Sequence, residues 1–300
     1  MKTILMLTDF SENATHALKS ASLLVEKMQA GVLLFNSYYD HPIFPVYGGG
    51  APVIEQLLLR KEESTVKLIK LTNQLKHMFA RQSKNIFKPV IEYMVRKGSV
   101  YSNVQLLLKE KDVVMIVMGG SSNSSLEHLF FGCDTMEVIS NSTCPVMVIP
   151  GKSAFNKLNK LTLATAFELS DINAITYLAD LGKSIGFEID VVHVSTSAEK
   201  DLLVQERAFL NHINALKDVR ITYHRLQGKD VIKRLNRYCK ENGSDILALV
   251  HYKQGFLSTL FKQSTTKKTL SGRHIPLMII PFNNNLQQTS FELHEPVKQL

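Results

Sequence analysis

A stretch rich in glycine and serine follows one of the apolar runs of the sequence. Residues 118–135 read MGGSSNSSLEHLFFGCDT and come directly after DVVMIV at 112–117. Glycine lets main-chain N–H groups approach a ligand closely, and such a loop before a helix can hold phosphate. The stretch has neither the Gly-Lys-Ser/Thr ending nor the Gly-x-Gly-x-x-Gly spacing of the best-known nucleotide loops. It predicts a nucleotide loop of another kind, a former one, or a flexible turn.

A second group that could do chemistry is an acid at the end of the first apolar run. Asp9 follows KTILMLT at residues 2–8, and the sequence continues TDFSEN. Asp, Ser and Asn all cap helices, so these residues predict a helix start. A carboxylate at the carboxyl end of a strand also lies where open α/β sheets bind ligands. Both interpretations stay open on these residues alone.

The elements that must position these groups alternate along the chain. Runs rich in Val, Ile and Leu predict strands at 2–8, 31–39, 88–98, 112–118, 144–150, 159–167, 187–196, 219–228, 244–252 and 274–282. Apolar residues at helical spacing predict helices at 12–29, 53–82, 100–111, 134–142, 170–186, 199–218, 230–243 and 265–273. Strands separated by helices imply right-handed crossovers and parallel sheets, and the continuous apolar strands suit sheets covered on both faces.

The second half of the chain repeats the pattern of the first half. CPVMVIP at 144–150 aligns without gaps with IPLMIIP at 275–281, and LFFGCDTMEVIS at 129–140 aligns with LFKQSTTKKTLS at 260–271. This repetition indicates a tandem duplication of one folding unit. We therefore predict the α/β class, with two open five-stranded parallel sheets flanked by helices.

The expected boundaries follow from the repeat. The first unit is predicted at residues 1–151 and the second at 158–283. The tail, residues 284–300, is polar and lies outside the repeat. It is predicted to be a loose terminus or an arm that lies on a partner.

Composition narrows the class of function. The chain has 300 residues, of which 45% are hydrophobic and 21% charged, as in soluble globular proteins. Its apolar runs are far shorter than the roughly 20 residues that cross a bilayer, so no membrane partner is expected. Three cysteines without metal-ligand spacing favour the cytoplasm. The pI near 9.2 raises nucleic-acid binding as a hypothesis, but the basic residues are dispersed and no aromatic stacking stripe accompanies them.

Two further classes of site lack their anchoring motif. The chain has 10 histidines, but none forms the His-Glu-x-x-His pair of a zinc hydrolase. No Gly-x-Ser-x-Gly elbow is present to support an acyl-transfer triad. We therefore predict no metal site and no catalytic residue.

The residues at the strand ends carry a resemblance to a known family. LTDFSENATHAL at 7–18 opens the first half, and DVVMIVMGG with FFGCDTMEVISNSTCPVMVIP closes it. Together they resemble the universal stress protein family. Its units open with an Asp after the first strand and close with glycine, two residues, glycine, nine residues, glycine and then Ser or Thr. The resemblance covers about residues 2–282, clearly in the first unit and only in framework in the second.

The resemblance implies a nucleotide pocket in the first unit. Asp9 matches the Asp that contacts adenine in nucleotide-binding members, and Ser37 lies where a main-chain group of the second strand meets adenine. Met118 and Gly119 match the end of the fourth strand, near the ribose and phosphates. Gly132 matches the third motif glycine. The implied cofactor is ATP or another adenine nucleotide, with Mg²⁺ only as part of the nucleotide complex.

Two positions depart from the family pattern. Ser122 stands where the second motif glycine is expected, and Cys133 stands where Ser or Thr is expected. Serine could donate a hydrogen bond or crowd a phosphate, and a thiol is a weaker donor than a hydroxyl. Loss of one neutral hydrogen bond weakens binding about three- to tenfold. The expected site is therefore weak, and the alternative is a relic that binds no nucleotide.

The second unit lacks the motif residues. Ala166 stands at the position of Asp9, His251 in place of Gly119 and Gln263 in place of the third glycine. We expect this unit to bind no nucleotide. It is expected to complete a pseudo-dimer within the chain, because units of this family pair through their last strands. A homodimer of whole chains stays open.

The expected function is that of a cytoplasmic stress-response protein. Its first unit would bind ATP or another adenine nucleotide weakly, as a regulatory ligand. The resemblance implies no firm catalytic role, and slow ATP hydrolysis is the most that it allows. The alternative is a nucleotide-free interaction protein that contacts a partner through its exposed helices and tail.

Overall fold

A computed structural model describes most of the chain. The described residues are 1–38, 51–81, 87–120, 133–151, 153, 155–195, 203–251 and 275–282. The chain divides into two compact units, Met1–Asn156 and Lys157–Leu300.

The first unit alternates strands and helices as the apolar pattern predicts. Its elements are β1 (Thr3–Leu7), α1 (Glu12–Ser20), α2 (Ser22–Met28), β2 (Gly31–Tyr38), α3 (Ala51–Arg81), β3 (Ile91–Lys97), α4 (Val100–Glu110), β4 (Val113–Gly120), α5 (Cys133–Asn141) and β5 (Val146–Pro150). The strands are ordered β3-β2-β1-β4-β5. Neighbouring strands in this order are parallel.

The second unit repeats this arrangement. Its described elements are β6 (Lys160–Ala164), α6 (Leu169–Ile185), β7 (Glu188–Ser195), α7 (Leu203–Ala215), β8 (Ile221–Gln227), α8 (Val231–Asn242), β9 (Ile246–His251) and β10 (Leu277–Pro281). The strands are ordered β10-β9-β6-β7-β8 and are parallel. The prediction of two five-stranded parallel sheets in the α/β class is confirmed. The predicted helix at 265–273 and the tail lie outside the described residues.

The helix predicted at 12–29 is divided in two. Helix α1 ends at Ser20 and α2 begins at Ser22. The Ser22 hydroxyl donates a 2.7 Å hydrogen bond to the carbonyl oxygen of Lys19. A hydroxyl that bonds a carbonyl of the preceding turn competes with the main-chain ladder and bends the helix. The apolar spacing continues across this break, so the pattern alone could not show it.

The first strand of each unit lies at a reversal in the winding of its sheet. Strand β1 lies between β2 and β4, because the chain first adds β2 and β3 on one side and then crosses to β4 and β5 on the other. At such a switch point the connections leave in opposite directions and open a crevice at the carboxyl ends of the strands. All five residues of β1 are buried, so only the residues that follow it can reach this crevice.

Candidate functional site

Asp9 lies in the turn from β1 to α1, at the crevice of the first unit. The N–H of Thr8 donates to the carbonyl oxygen of Phe35 at 3.0 Å and is the last such bond between β1 and β2. The Thr8 hydroxyl then accepts the N–H of Phe10 at 3.0 Å. Phe10 is left-handed, with φ of 66°, which a bulky residue rarely adopts. In this turn the side chain of Asp9 is exposed to solvent.

The residue that caps helix α1 is Ser11 rather than Asp9. The Ser11 hydroxyl accepts the N–H of Ala14 at 3.2 Å. Oδ1 of Asp9 accepts the N–H of Ser11 at 2.9 Å, which orients the carboxylate. Within the described part of the chain Asp9 makes no other hydrogen bond. Its Oδ2 atom can therefore accept a hydrogen bond from a ligand.

Strand β2 continues past the end of β1. The carbonyl oxygen of Phe35 accepts the N–H of Thr8, whereas β2 extends to Tyr38. Main-chain groups two residues apart on a strand point to the same side. The N–H and C=O of Ser37 therefore point in the direction of β1, beyond its last residue and towards the turn that carries Asp9.

The side chain of Ser37 is engaged elsewhere. Its hydroxyl donates a hydrogen bond to the carbonyl oxygen of Gly98, in the turn between β3 and α4. Gly98 has φ of 113°, and its N–H donates to the carbonyl oxygen of Tyr38 at 3.1 Å. These bonds fix the end of β2 to the neighbouring turn. The main chain of Ser37, rather than its hydroxyl, is therefore the polar group that can face a ligand.

Gly119 is the point where helix α1 approaches β4. A Cβ atom there would be 2.8 Å from the main-chain nitrogen of Ala14 and 2.9 Å from the main-chain carbon and oxygen of Asn13. Met118 beside it is buried. The absence of a side chain at Gly119 brings the first turn of α1 against the end of β4. That turn carries the partial positive charge of a helix N-terminus, which favours a nearby anion.

The other predicted residues follow β4. Ser122 and Gly132 lie outside the described residues. Cys133 is the first residue of α5, and its side chain is likewise outside the description. Their predicted phosphate contacts stay predictions. Of the remaining predicted residues, Asp9, Ser37 and Gly119 lie at the carboxyl ends of β1, β2 and β4, and Met118 is buried within β4.

Sequence reasoning missed Asn36. Its side chain is buried, and Nδ2 donates a 2.8 Å hydrogen bond to the carbonyl oxygen of Thr8. One amide inside the run GVLLFNSYY was the available signal, because a buried polar side chain needs a partner. The left-handed conformation of Phe10 could not be predicted, because phenylalanine rarely adopts it.

The second unit repeats the turn without the exposed acid. The hydroxyl of Thr165 accepts the N–H of Phe167 at 3.0 Å, and Phe167 has φ of 63°. Ala166 lies between them, in the place where the first unit has its acid. Here Asp171, which is fully buried, holds the turn from inside. Its Oδ2 accepts the N–H groups of Ala166 at 2.9 Å and of Glu168 at 3.1 Å.

The strand register corrects one alignment in the second unit. The sequence comparison placed His251 opposite Gly119. Gly120 and His251 each pair with the proline that ends the last strand of their unit, so these two residues are equivalent. Val250 therefore corresponds to Gly119. A side chain fills the position where the first unit brings a helix against the strand.

Aromatic side chains surround the turn of the second unit. The ring centroid of Phe167 is 4.4 Å from that of His193, 5.7 Å from that of Phe209 and 6.2 Å from that of Tyr223. The Tyr223 hydroxyl donates a 2.6 Å hydrogen bond to Glu206. In the second unit, the N–H groups of the turn bond Asp171 and its Phe167 ring packs against neighbouring aromatic rings. In the first unit, Asp9 is exposed.

Other kinds of site find little support among the described residues. No group of His, Cys, Asp and Glu there is arranged to hold a metal ion. Across the same residues, none of the helices combines the length and the apolar character that spanning a membrane requires. Burial raises the pKa of the Cys144 thiol to about 12 and that of the Cys239 thiol to about 11. These thiols therefore stay protonated and unreactive at neutral pH.

Comparisons with known proteins agree with this architecture. The sequence model of the Universal stress protein family matches residues 1–150. A crystal structure of a universal stress protein from Archaeoglobus fulgidus superposes with a TM-score of 0.68 at 15% identity, covering 94% of this chain and 98% of that one. A putative universal stress protein from Pseudomonas aeruginosa gives a TM-score of 0.53 at 11% identity, covering 93% and 92%. At these identities the two structures show a shared fold alone. No curated protein matches the chain.

Proposed function

The chain belongs to the universal stress protein family, and we propose that its first unit binds an adenine nucleotide as a regulatory ligand. The observation that carries the proposal is the extension of β2 beyond β1. It directs the main-chain N–H and C=O of Ser37 towards the turn that bears the exposed Asp9. A donor and an acceptor from one residue, beside a carboxylate, can recognise a base and its ribose.

The hydrogen-bonding groups of adenine suit this arrangement. Its N1 accepts a hydrogen bond and its N6 amino group donates one, so the N–H and C=O of Ser37 can satisfy both. Guanine reverses this pattern, because its N1 carries hydrogen and its O6 accepts. A site that reads the base with one main-chain N–H and C=O therefore prefers adenine over guanine.

Asp9 and the N-terminus of α1 are the groups proposed to contact the ribose and the phosphates. Oδ2 of Asp9 can accept from the base or from a ribose hydroxyl, while Oδ1 stays bonded to Ser11. The phosphates would extend towards the end of β4, where Gly119 adjoins the first turn of α1. Mg²⁺ would enter only with the phosphates. Ser122, Gly132 and Cys133 are the residues proposed to complete the phosphate contacts.

Isothermal titration calorimetry with ATP and Mg²⁺ tests the proposal. The full chain is first freed of co-purified nucleotide, which is identified by absorbance and chromatography. We expect one site per chain with micromolar affinity, and weaker binding of GTP. No heat up to millimolar ATP, together with no carried-over nucleotide, would show that the site is a relic. Phosphate release measured in parallel would reveal any hydrolysis.

Two acidic residues near the start of α1 allow a matched comparison. Asp9→Ala removes a charge-assisted hydrogen bond to the ligand, so we expect affinity to fall about tenfold or more. Glu12→Ala removes the same charge from the exposed first turn of α1 but not from the turn after β1. We expect Glu12→Ala to bind almost as the wild type does. Equal losses in both variants would point to a general effect of charge instead.

We also propose a cytoplasmic setting for this activity. The described cysteines, Cys144 and Cys239, are free thiols. Free thiols persist in the reducing cytoplasm, whereas secreted proteins tend to form disulfides. Cell fractionation, with detection of the protein in each fraction, tests this setting directly.

A nucleotide-free interaction protein is the alternative, and one surface favours it. Helix α3 exposes 55% of Leu58, 57% of Leu59 and 65% of Val66. Apolar side chains grouped on one exposed helix suit a protein contact. Loss of partner capture in Leu59→Lys, with no nucleotide bound by the wild type, would support this alternative.

A further inference from the structure

Two different side chains hold the same main-chain position in the two units. Nδ2 of Asn36 donates to the carbonyl oxygen of Thr8 at 2.8 Å, and Nδ1 of His193 lies 2.9 Å from the carbonyl oxygen of Thr165. A carbonyl oxygen only accepts hydrogen bonds, so Nδ1 of His193 carries the hydrogen. Amide and imidazole differ in shape and chemistry. What they share at this position is one N–H donor.

The strand register explains why a donor is needed there. In each unit the donor residue directly follows the last residue of the second strand that pairs with the first strand. Beyond that pair, the second strand continues but donates no main-chain hydrogen bond to the threonine carbonyl among the described residues. The threonines are buried, and a buried carbonyl without a partner is unfavourable. The side chain of Asn36 takes over the pairing where the main-chain ladder stops.

The carbonyl held by Asn36 belongs to the peptide group that joins Thr8 to Asp9. Because a peptide group is planar, fixing its oxygen fixes the plane that leads to the Asp9 Cα atom. Phe10, the next residue, is left-handed and is held by the Thr8 hydroxyl. The orientation of Asp9 is therefore set by bonds on both sides of Thr8. Asn36 supplies the bond that comes from β2.

We propose that Asn36 is a positioning residue of the nucleotide site, which fixes Asp9 through the Thr8 carbonyl. This inference rests on the proposed function. Asn36 also directly precedes Ser37, so the same side chain joins the two parts of the crevice that would read the base. Its own amide is used internally and does not contact the nucleotide. His193 holds the corresponding carbonyl in the second unit, where Ala166 stands in place of Asp9.

The test compares three variants of the full chain by calorimetry with ATP and Mg²⁺. Asn36→Leu keeps the approximate size and removes the donor, so the dissociation constant rises about three- to tenfold. The number of sites stays at that of the wild type, because the fold is kept. Asn36→His copies the donor of the second unit and restores most of the affinity. His193→Asn makes the reverse exchange away from the site and leaves affinity unchanged.

These outcomes separate positioning from general destabilisation. Irreversible unfolding would lower the number of competent sites. Reversible unfolding would raise the apparent dissociation constant only by the factor by which the folded fraction falls, and urea unfolding measures that fraction. Full affinity in Asn36→Leu overturns the inference while the proposed function stands. An Asn36→His variant that binds no better than Asn36→Leu overturns it also, because the donor would then not be what matters.

Amide hydrogen exchange decides the inference even if the wild type binds no nucleotide. In that case the proposed function fails, but the turn can still be measured. We expect the amides of Phe10 and Ser11 to exchange faster in Asn36→Leu than in the wild type, and to be slowed again in Asn36→His. Exchange that is the same in all variants would show that Asn36 does not order the turn, and the inference would be wrong.

Discussion

Gly119 lies so close to helix α1 that a Cβ atom on it would stand 2.8 Å from the main-chain nitrogen of Ala14. Main-chain atoms cannot move aside as a flexible side chain can. Gly119→Ala must therefore push α1 away from β4, and we expect it to lower the free energy of unfolding by about 1–3 kcal/mol. The displaced helix N-terminus should also weaken nucleotide binding. Urea unfolding and calorimetry measure the two effects.

Gly228 offers the matched control. A Cβ atom there would stand 3.2 Å from the Cβ atom of Arg234, a contact that a shift of a few tenths of an ångström relieves. Gly228→Ala should therefore change stability by less than about 1 kcal/mol. Similar small losses in both variants would mean that α1 is free to move, and that Gly119 is not needed for packing.

The cap of helix α1 gives a second prediction. Ser11→Ala removes the acceptor for the N–H of Ala14 and should lower the free energy of unfolding by about 0.5–2 kcal/mol. Ser184→Ala is the control, because that exposed hydroxyl bonds only a carbonyl of its own helix, at Asp180. It should be neutral or slightly stabilising, since alanine favours helix. No loss in Ser11→Ala would show that another group caps α1.

The buried thiols predict a loss of stability in alkaline solution. Burial raises the pKa of Cys144 to about 12 and that of Cys239 to about 11, from 9.0. Between these values the unfolded chain releases a proton that the folded chain keeps. The stabilisation is complete below about pH 9 and is lost as pH rises towards the folded values. Each thiol should contribute a fall of about 1 kcal/mol per pH unit in that window.

A double variant isolates the thiols from other alkaline titrations. Burial also raises the pKa values of Tyr223 and Tyr238, so part of the pH dependence is theirs. Urea unfolding is followed on both sides of about pH 9 in the wild type and in Cys144→Ala/Cys239→Ala. The slope should be smaller in the double variant. An identical slope would contradict the assignment to the thiols.

The tyrosine on the third strand of each unit gives a fourth prediction. Tyr223 donates a 2.6 Å hydrogen bond to the largely buried Glu206, which also accepts from Arg225 at 2.9 Å. Tyr223→Phe leaves that carboxylate one donor short and should lower the free energy of unfolding by about 1–2 kcal/mol. Tyr93 is the equivalent residue by strand register, and it is exposed. Tyr93→Phe should change stability by less than about 0.5 kcal/mol, in the same urea experiment.

Periodicity was sufficient to predict the fold because each strand is a buried apolar run and each helix has an apolar face. The run at 2–8 became β1 at Thr3–Leu7, and the pattern at 53–82 became α3 at Ala51–Arg81. Local hydrogen bonds set the details that periodicity missed. Ser22 breaks the first helix through its bond to Lys19, and the apolar spacing is unaffected by that bond.

The candidate site was less predictable, because its geometry depends on long-range contacts and on register. The bond from Asn36 to Thr8 joins residues 28 positions apart, and no local pattern contains both. The pairing of β1 with β4 shifts between Thr3 and Ile4. Strand β4 is largely buried, so alternation of apolar and polar residues could not show this shift. The sequence alignment placed His251 one position away from its structural counterpart, Gly120.

The repeated turn with a left-handed phenylalanine makes the chain its own internal reference. Phe10 and Phe167 share nearly the same φ, and a threonine hydroxyl holds each of them. The backbones are alike, but an exposed carboxylate precedes one phenylalanine and a methyl group precedes the other. A titration that saturates at one equivalent of ligand per chain would thus compare a unit with Asp9 and Gly119 against a unit with Ala166 and Val250, in one buffer and at one concentration.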